Sequence, residues 1–119
     1  MALADLNIEI VGQVVVAGLD GEIDMSNANE LGEALSRQVT NEALGLVVDL
    51  TDITYVDSAA IQIIYELREG LETRGQQIRL VVAPASPIAD ALRIAGVPTA
   101  VGTDETRDAA LHALGERAT

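Results

Sequence analysis

At 119 residues, 49% hydrophobic but only 2% aromatic and with neither Phe nor Trp, the chain suits one domain with a core of Val, Ile, Leu and Ala. The formal net charge is −12, and the seven basic residues are all arginine. The missing lysine removes Schiff-base chemistry and the lysine-bearing phosphate loop, and the acidity disfavours nucleic acid as a partner. No cysteine is present, so disulfides and thiolate chemistry are excluded. No apolar run approaches the ~18 residues of a membrane span, and no basic segment with a long apolar stretch opens the chain. A soluble, cytoplasmic protein without membrane insertion is therefore expected.

Two β-rich runs, Asn7 to Val11 and Val14 to Leu19, flank Gly12-Gln13, where a leading glycine suits a type II′ hairpin. A helix is predicted from about Asn27 to Thr40, with an apolar stripe of Ala28, Leu31, Leu35 and Val39. Asn27 with Glu30 resembles a capping box, with Ser26 as the other possible cap. Leu44 to Leu50 is a near-continuous apolar run, as expected of a strand covered on both faces. A short acidic loop then leads to a helix that starts at Ser58 and ends near Arg74, stopped by Gly75. Ile78 to Ala83 reads as another buried strand, and Ser86-Pro87 as the cap and first residue of a short helix closed by Gly96 and Pro98. Thr99 to Val101 is predicted as a last strand, and Thr103 as the cap of a C-terminal helix with Asp104 and Glu105 in its first turn. Alternating strands and helices after an opening hairpin imply an α/β fold with a mixed sheet of four to five strands and about four helices. Residues 1–119 form one domain, its core at about 7–114.

Ligand sites in such sheets collect beyond the carboxyl ends of the parallel strands. Two segments belong there: Gly21-Glu22-Ile23-Asp24 after the second strand, and Tyr55-Val56-Asp57-Ser58 after the third. If the strands are neighbours, Asp24, Asp57 and Ser58 share a rim. Unpaired N–H groups make a helix start a natural anion seat, so either Asp57 or Ser58 can cap it, and the Ser58 hydroxyl can also react or be phosphorylated. Paired acids such as Asp24 and Asp57 are a weak signal for acid–base work or magnesium. The only histidine, His112, falls among Ala110, Leu111 and Leu114 and is expected on the surface, away from Ser58. A catalytic triad and a zinc site are accordingly not expected, and no cofactor is assigned. On the Ser58 helix, Ala60, Ile64, Leu67 and Leu71 share the arc that faces the sheet. Ile61, Tyr65 and Arg68 lie on a flank, either as a docking surface or beneath a neighbouring helix; Tyr65 and Arg68 are residue types enriched at interfaces.

The element order, Gly21-Glu22-Ile23-Asp24, the Asp49-Leu50-Thr51-Asp52-Ile53 turn, Asp57-Ser58 before an apolar helix, and Leu92-Arg93-Ile94-Ala95-Gly96-Val97 together resemble a STAS domain. Within that family the chain resembles the stand-alone anti-sigma factor antagonists, over about Asn7 to Leu114. The family pattern at the site is Asp-Ser-Ser/Thr-Gly, whose first serine is the phosphoacceptor. The resemblance carries that role to Ser58, with Asp57 beside it. Ala59 replaces the second hydroxyl and Ala60 the glycine.

The resemblance implies a partner-switching regulator of transcription. The unphosphorylated antagonist binds an anti-sigma factor, often a serine kinase, and frees a sigma factor. The kinase phosphorylates Ser58 with its own ATP and magnesium, and a serine phosphatase restores it. On this reading the chain is a substrate and not an enzyme, with Asp24, Asp57, Ala59, Ile61, Tyr65 and Arg68 around the partner-binding rim. One alternative keeps the fold: a STAS subunit of a lipid-transport or stress-signalling assembly without a phosphoswitch, to which Ala59 lends weight. Another is a small nucleotide hydrolase using Asp24, Asp57 and Ser58, against which the missing lysine and isolated histidine count.

Overall fold

The computed structural model describes residues 4–115. Five strands form one mixed sheet in the order β1-β2-β3-β4-β5. They are β1 (Asp5–Val11), β2 (Val14–Ile23), β3 (Gly45–Val56), β4 (Gln77–Val81) and β5 (Gly102–Asp104). β1 pairs antiparallel with β2, and the remaining pairs are parallel. Five helices complete the fold: α1 (Ala28–Gln38), α2 (Ser58–Glu72), α3 (Pro87–Ile94), α4 (Val97–Ala100) and α5 (Arg107–Ala113).

The hairpin has the expected geometry. Val11 opposes Val14, Gly12 has φ 58°, and Gln13 is not among the residues with positive φ. That combination is what a two-residue type II′ turn requires. The apolar continuity of β3 also has the expected cause. Leu46, Val48 and Leu50 face a core shared with Leu31, Leu35, Ile64, Leu67, Leu71 and Leu92, under α1 to α4. Val47 faces the other way and joins Val14, Val16, Val81, Ala110 and Leu111 beneath α5. The strand is sandwiched, so neither face needs a polar residue.

Several boundaries differ from the sequence-based expectation. The acidic segments taken as loops are strand: β2 and β3 stay paired through Ile23 and Val56, across register shifts near Gly18 and Gly21. Their polar composition reflects a one-sided environment. Ile53 is buried, whereas Thr51, Asp52, Thr54 and Tyr55 are exposed. The Asn27–Glu30 capping box does not form; Asn27 has no side-chain bond into α1. Its amide instead donates to Glu22 O at 2.8 Å and accepts from Asp24 N at 2.9 Å, bracing the turn before the helix.

The predicted strand over Thr99 to Val101 is replaced by α4 and then β5. Gly96, with φ 77°, reverses the chain after α3, and Pro98 sits in the first turn of α4, where an N–H is not needed. Thr103 lies in β5, and it is Thr106 whose side chain caps α5, accepting from Ala109 N at 3.1 Å. Asp104 is drawn into the sheet by a bidentate pair with Arg79, at 2.8 and 3.1 Å.

Candidate functional site

The parallel ends of β2 and β3 deliver two turns to one rim. Asp57 N donates to Ile23 O at 3.3 Å, which joins the strand ends directly. Asp57 is extended and caps α2: its Oδ1 accepts from Ala59 N at 2.9 Å and Ala60 N at 3.1 Å. Its second oxygen accepts from Met25 N at 3.1 Å, so one carboxylate both starts a helix and holds the β2–α1 turn. Ser58 is the first residue of that helix and is exposed.

Asp24 does related work within its own turn. It accepts from Ser26 N at 2.9 Å and Ser26 Oγ at 2.5 Å, and its backbone carbonyl accepts from Asn27 N and Ala28 N. The Ser26 hydroxyl, then the Ser26 amide, hold the Asp24 carboxyl below its ordinary value of 3.8. Successive amides of one turn, Met25 and Ser26, thus serve the two acids separately. Asp24 and Asp57 share the rim, and each is a structural acceptor there.

Asp57 also revises the expectation that the helix start is an open anion seat. Two of its first-turn N–H groups, those of Ala59 and Ala60, are already capped. Ala60 itself is 2% exposed, its methyl in the core, so the helix start accommodates a β-carbon. Ala59 and Ile61 are half-buried and packed against the same core.

The remaining flank residues lie further along α2. Tyr65 is half-buried, and its hydroxyl donates to Ala95 O at 3.1 Å, fastening α2 to the turn between α3 and α4. Arg68 is ten residues from Ser58, about 15 Å along the axis at 1.5 Å per residue, and pairs with Glu72 at 3.4 Å. The structure therefore brings Asp24, Asp57, Ser58 and Ala59 together, with Ile61 one turn on, and sets Tyr65 and Arg68 apart. Two residues the sequence reasoning did not single out are Met25 and Ile94, 82% and 84% exposed. Met25 adjoins the Asp57 cap, and Ile94 adjoins the carbonyl that holds Tyr65.

Cations are placed elsewhere among the described residues. Arg79 pairs with Asp104, Arg93 with Asp90, and Arg107 with Asp49 and Glu9. Arg37 is in the last turn of α1, and Arg74 follows α2 and donates to Val39 O. His112 is exposed in the last turn of α5. No group of three or more His, Cys, Asp or Glu among the described residues is arranged to hold a metal ion, and no described helix is long and apolar enough to cross a membrane.

Comparison with known proteins agrees with this architecture. The family model described as STAS domain matches residues 5–110. An anti-sigma factor antagonist from Mycobacterium paratuberculosis superposes with a TM-score of 0.84 at 24% identity, covering 96% of each chain. A putative anti-sigma factor antagonist from Thermotoga maritima gives 0.80 at 18% identity, covering 93% of this chain and 95% of the other. The Bacillus cell fate determinant SpoIIAA in its phosphorylated form gives 0.65 at 17% identity, covering 92% of this chain and 99% of the other. At these identities the likeness is one of fold. No curated protein sequence matches the chain.

Proposed function

The chain belongs to the STAS domain family, and we propose that it is an anti-sigma factor antagonist, released from its partner by phosphorylation of Ser58. The observation that carries this reading is the exposed Ser58 hydroxyl on the first residue of a fifteen-residue helix, beside an Asp57 whose carboxylate is already committed. The structural relatives named above support it, one of them solved in a phosphorylated form.

In the proposed cycle a partner kinase brings ATP and magnesium. The Ser58 oxygen attacks the γ-phosphorus, its proton leaves to the kinase, and ADP departs. A phosphatase later hydrolyses the ester. This chain presents the hydroxyl and catalyses nothing. The switch lies in charge. Phosphoserine adds about −1.5 to −2 charges, next to Asp57 and with no described arginine paired at that rim. In the free protein water solvates that charge. Inside an interface it must be desolvated beside Asp57, and like-charge juxtaposition there costs several kcal/mol. About 2.8 kcal/mol is a hundredfold in affinity. On this reading the chain acts in the cytoplasm.

The test is the affinity of the purified chain for its anti-sigma factor. Ser58→Ala should bind like the wild type and resist phosphorylation by mass spectrometry, and Ser58→Glu should bind at least a hundredfold more weakly. If both variants bind every candidate factor like the wild type, the phosphoswitch is wrong. A STAS subunit without a phosphoswitch is then the better reading; this fold is also present in a sulfate transporter family protein from Wolinella succinogenes, with a TM-score of 0.69 at 21% identity over 90% of this chain.

A further inference from the structure

An open groove of about 340 Å³ lies between α1 and α2, lined by small, acidic and aliphatic residues together with Arg74. Ile63, Leu67 and Leu71 are buried and make its floor, and Glu33 and Glu66 stand on opposite banks. Two glycines, Gly32 on α1 and Gly70 on α2, line it.

The two glycines have different reasons for being there. A Cβ on Gly32 would fall 2.9 Å from Ile63 Cγ2, so Gly32 lets the helices approach. A Cβ on Gly70 would meet nothing within 4 Å. Gly70 lies in the last turn of the fifteen-residue α2 and has no positive φ. Glycine is the least favourable helix residue after proline, and neither backbone conformation nor internal packing accounts for it here. The space beside it is open to atoms from outside the chain.

Charge identifies what those atoms belong to. The charged residues that line the groove are Glu33 and Glu66 on its banks and Arg74, whose guanidinium donates to Val39 O, in a chain of net charge −12. Acidic banks repel nucleic acid and anionic lipid headgroups. Over an apolar floor they fit side chains with an aliphatic stem and a cationic head. We propose that the α1–α2 groove is a docking site for a basic, amphipathic helix of a partner protein, its apolar face over Gly70 and its arginines or lysines between Glu33 and Glu66. The partner's identity as the anti-sigma factor rests on the functional reading above; the chemistry of the groove does not.

The experiment sets stability against binding with Gly70→Ala in the full chain. Free of a partner, the variant should melt about 3–6 °C higher, since alanine is the better helix former and has room. It should bind the anti-sigma factor at least tenfold more weakly, as should a Glu33→Gln, Glu66→Gln double variant. A synthetic helical peptide of leucines and arginines at three- and four-residue spacing is the direct probe. It should shift the amide resonances of Gly32, Leu67 and Gly70, and a peptide with glutamates for arginines should not. Unchanged affinity of Gly70→Ala for both factor and peptide overturns the proposal, as does a lower melting temperature or the absence of peptide-induced shifts. A factor that tolerates Ser58→Glu but loses affinity for Gly70→Ala would sink the phosphoswitch and uphold the groove.

Discussion

Asp57 offers a dissection of the rim because its two carboxylate oxygens do separate things. Oδ1 caps α2 through Ala59 N and Ala60 N, and Oδ2 holds Met25 N of the β2–α1 turn. Asp57→Asn can keep the cap through its amide oxygen, because asparagine is as good an N-cap as aspartate. Its NH2 cannot accept from Met25, so only the second function is lost. Asp57→Ala loses both. Loss of a cap costs typically about 1 kcal/mol, and a hydrogen bond to a charged acceptor is worth about 1.5–3 kcal/mol, the lower end applying at a half-exposed site. The expected destabilisation is about 1.5 kcal/mol for Asp57→Asn and about 2.5 kcal/mol for Asp57→Ala. Urea unfolding with a common m-value measures both. Equal losses in the two variants would refute the division of labour between the oxygens. An alanine variant within about 0.5 kcal/mol of wild type, the range of an ordinary surface substitution, would refute the cap itself.

Two further predictions concern stability alone. Burial pushes the Asp49 carboxyl up, but hydrogen bonds from Thr51 and Arg107 and the Arg107 charge outweigh it, and its pKa falls below the ordinary 3.8. A depressed folded-state pKa contributes stability that is present above the unfolded value and lost as pH falls through the folded one. Wild type should therefore exceed Asp49→Asn in melting temperature at pH 7, and the gap should narrow as pH drops below about 4; a gap constant from pH 7 to pH 2 would be the wrong outcome. Ala85, in the turn before α3, holds φ 59°, a left-handed conformation that costs a β-carbon about 1–2 kcal/mol. Ala85→Gly relieves it against about 0.4–1 kcal/mol of added unfolded-state entropy, so denaturant midpoints should rise slightly, and a fall would contradict the strain.

Much of this fold was legible wherever a local pattern carries the information. The Leu31 and Leu35 stripe, the sandwiched run Leu46 to Leu50, and the Ser86-Pro87 helix start all depend on spacing within one turn or one strand, and all are present. Illegible stretches depend on distant partners. β3 continues to Val56 because β2 pairs with it residue by residue, and β5 forms where Arg79, 25 positions earlier, reaches Asp104. The site divides the same way. Asp57 as a cap is a two- and three-residue relation and could be read. Its hold on Met25 spans 32 residues, and no spacing rule anticipates it. The groove escaped for a third reason: a glycine in a helical pattern looks the same whether a neighbour crowds it, as at Gly32, or nothing does, as at Gly70.

The placement of charge also decides how a phosphate at Ser58 would be sensed. Two mechanisms are available: an addition to the long-range field of a chain already at −12, or a local penalty where Ser58 and Asp57 are buried by a partner. Screening separates them. The Debye length is about 8 Å at physiological ionic strength and about 3 Å at 1 M salt. A field effect therefore acts mainly on the association rate and fades as salt is added. A desolvation penalty acts on the dissociation rate and survives, because the groups concerned are out of reach of ions. The second mechanism follows from the rim itself. Its two acids are fixed by backbone amides, and the described arginines are engaged or placed elsewhere, so among the described residues no cation stands at the rim to neutralise the new charge before the partner arrives. The discrimination between Ser58 and Ser58→Glu should accordingly remain within a few-fold from 0.15 to 1 M salt, with the change concentrated in the dissociation rate. If discrimination vanishes at 1 M salt, the phosphate is read at a distance, and the contact between partner and rim is not the seat of the switch.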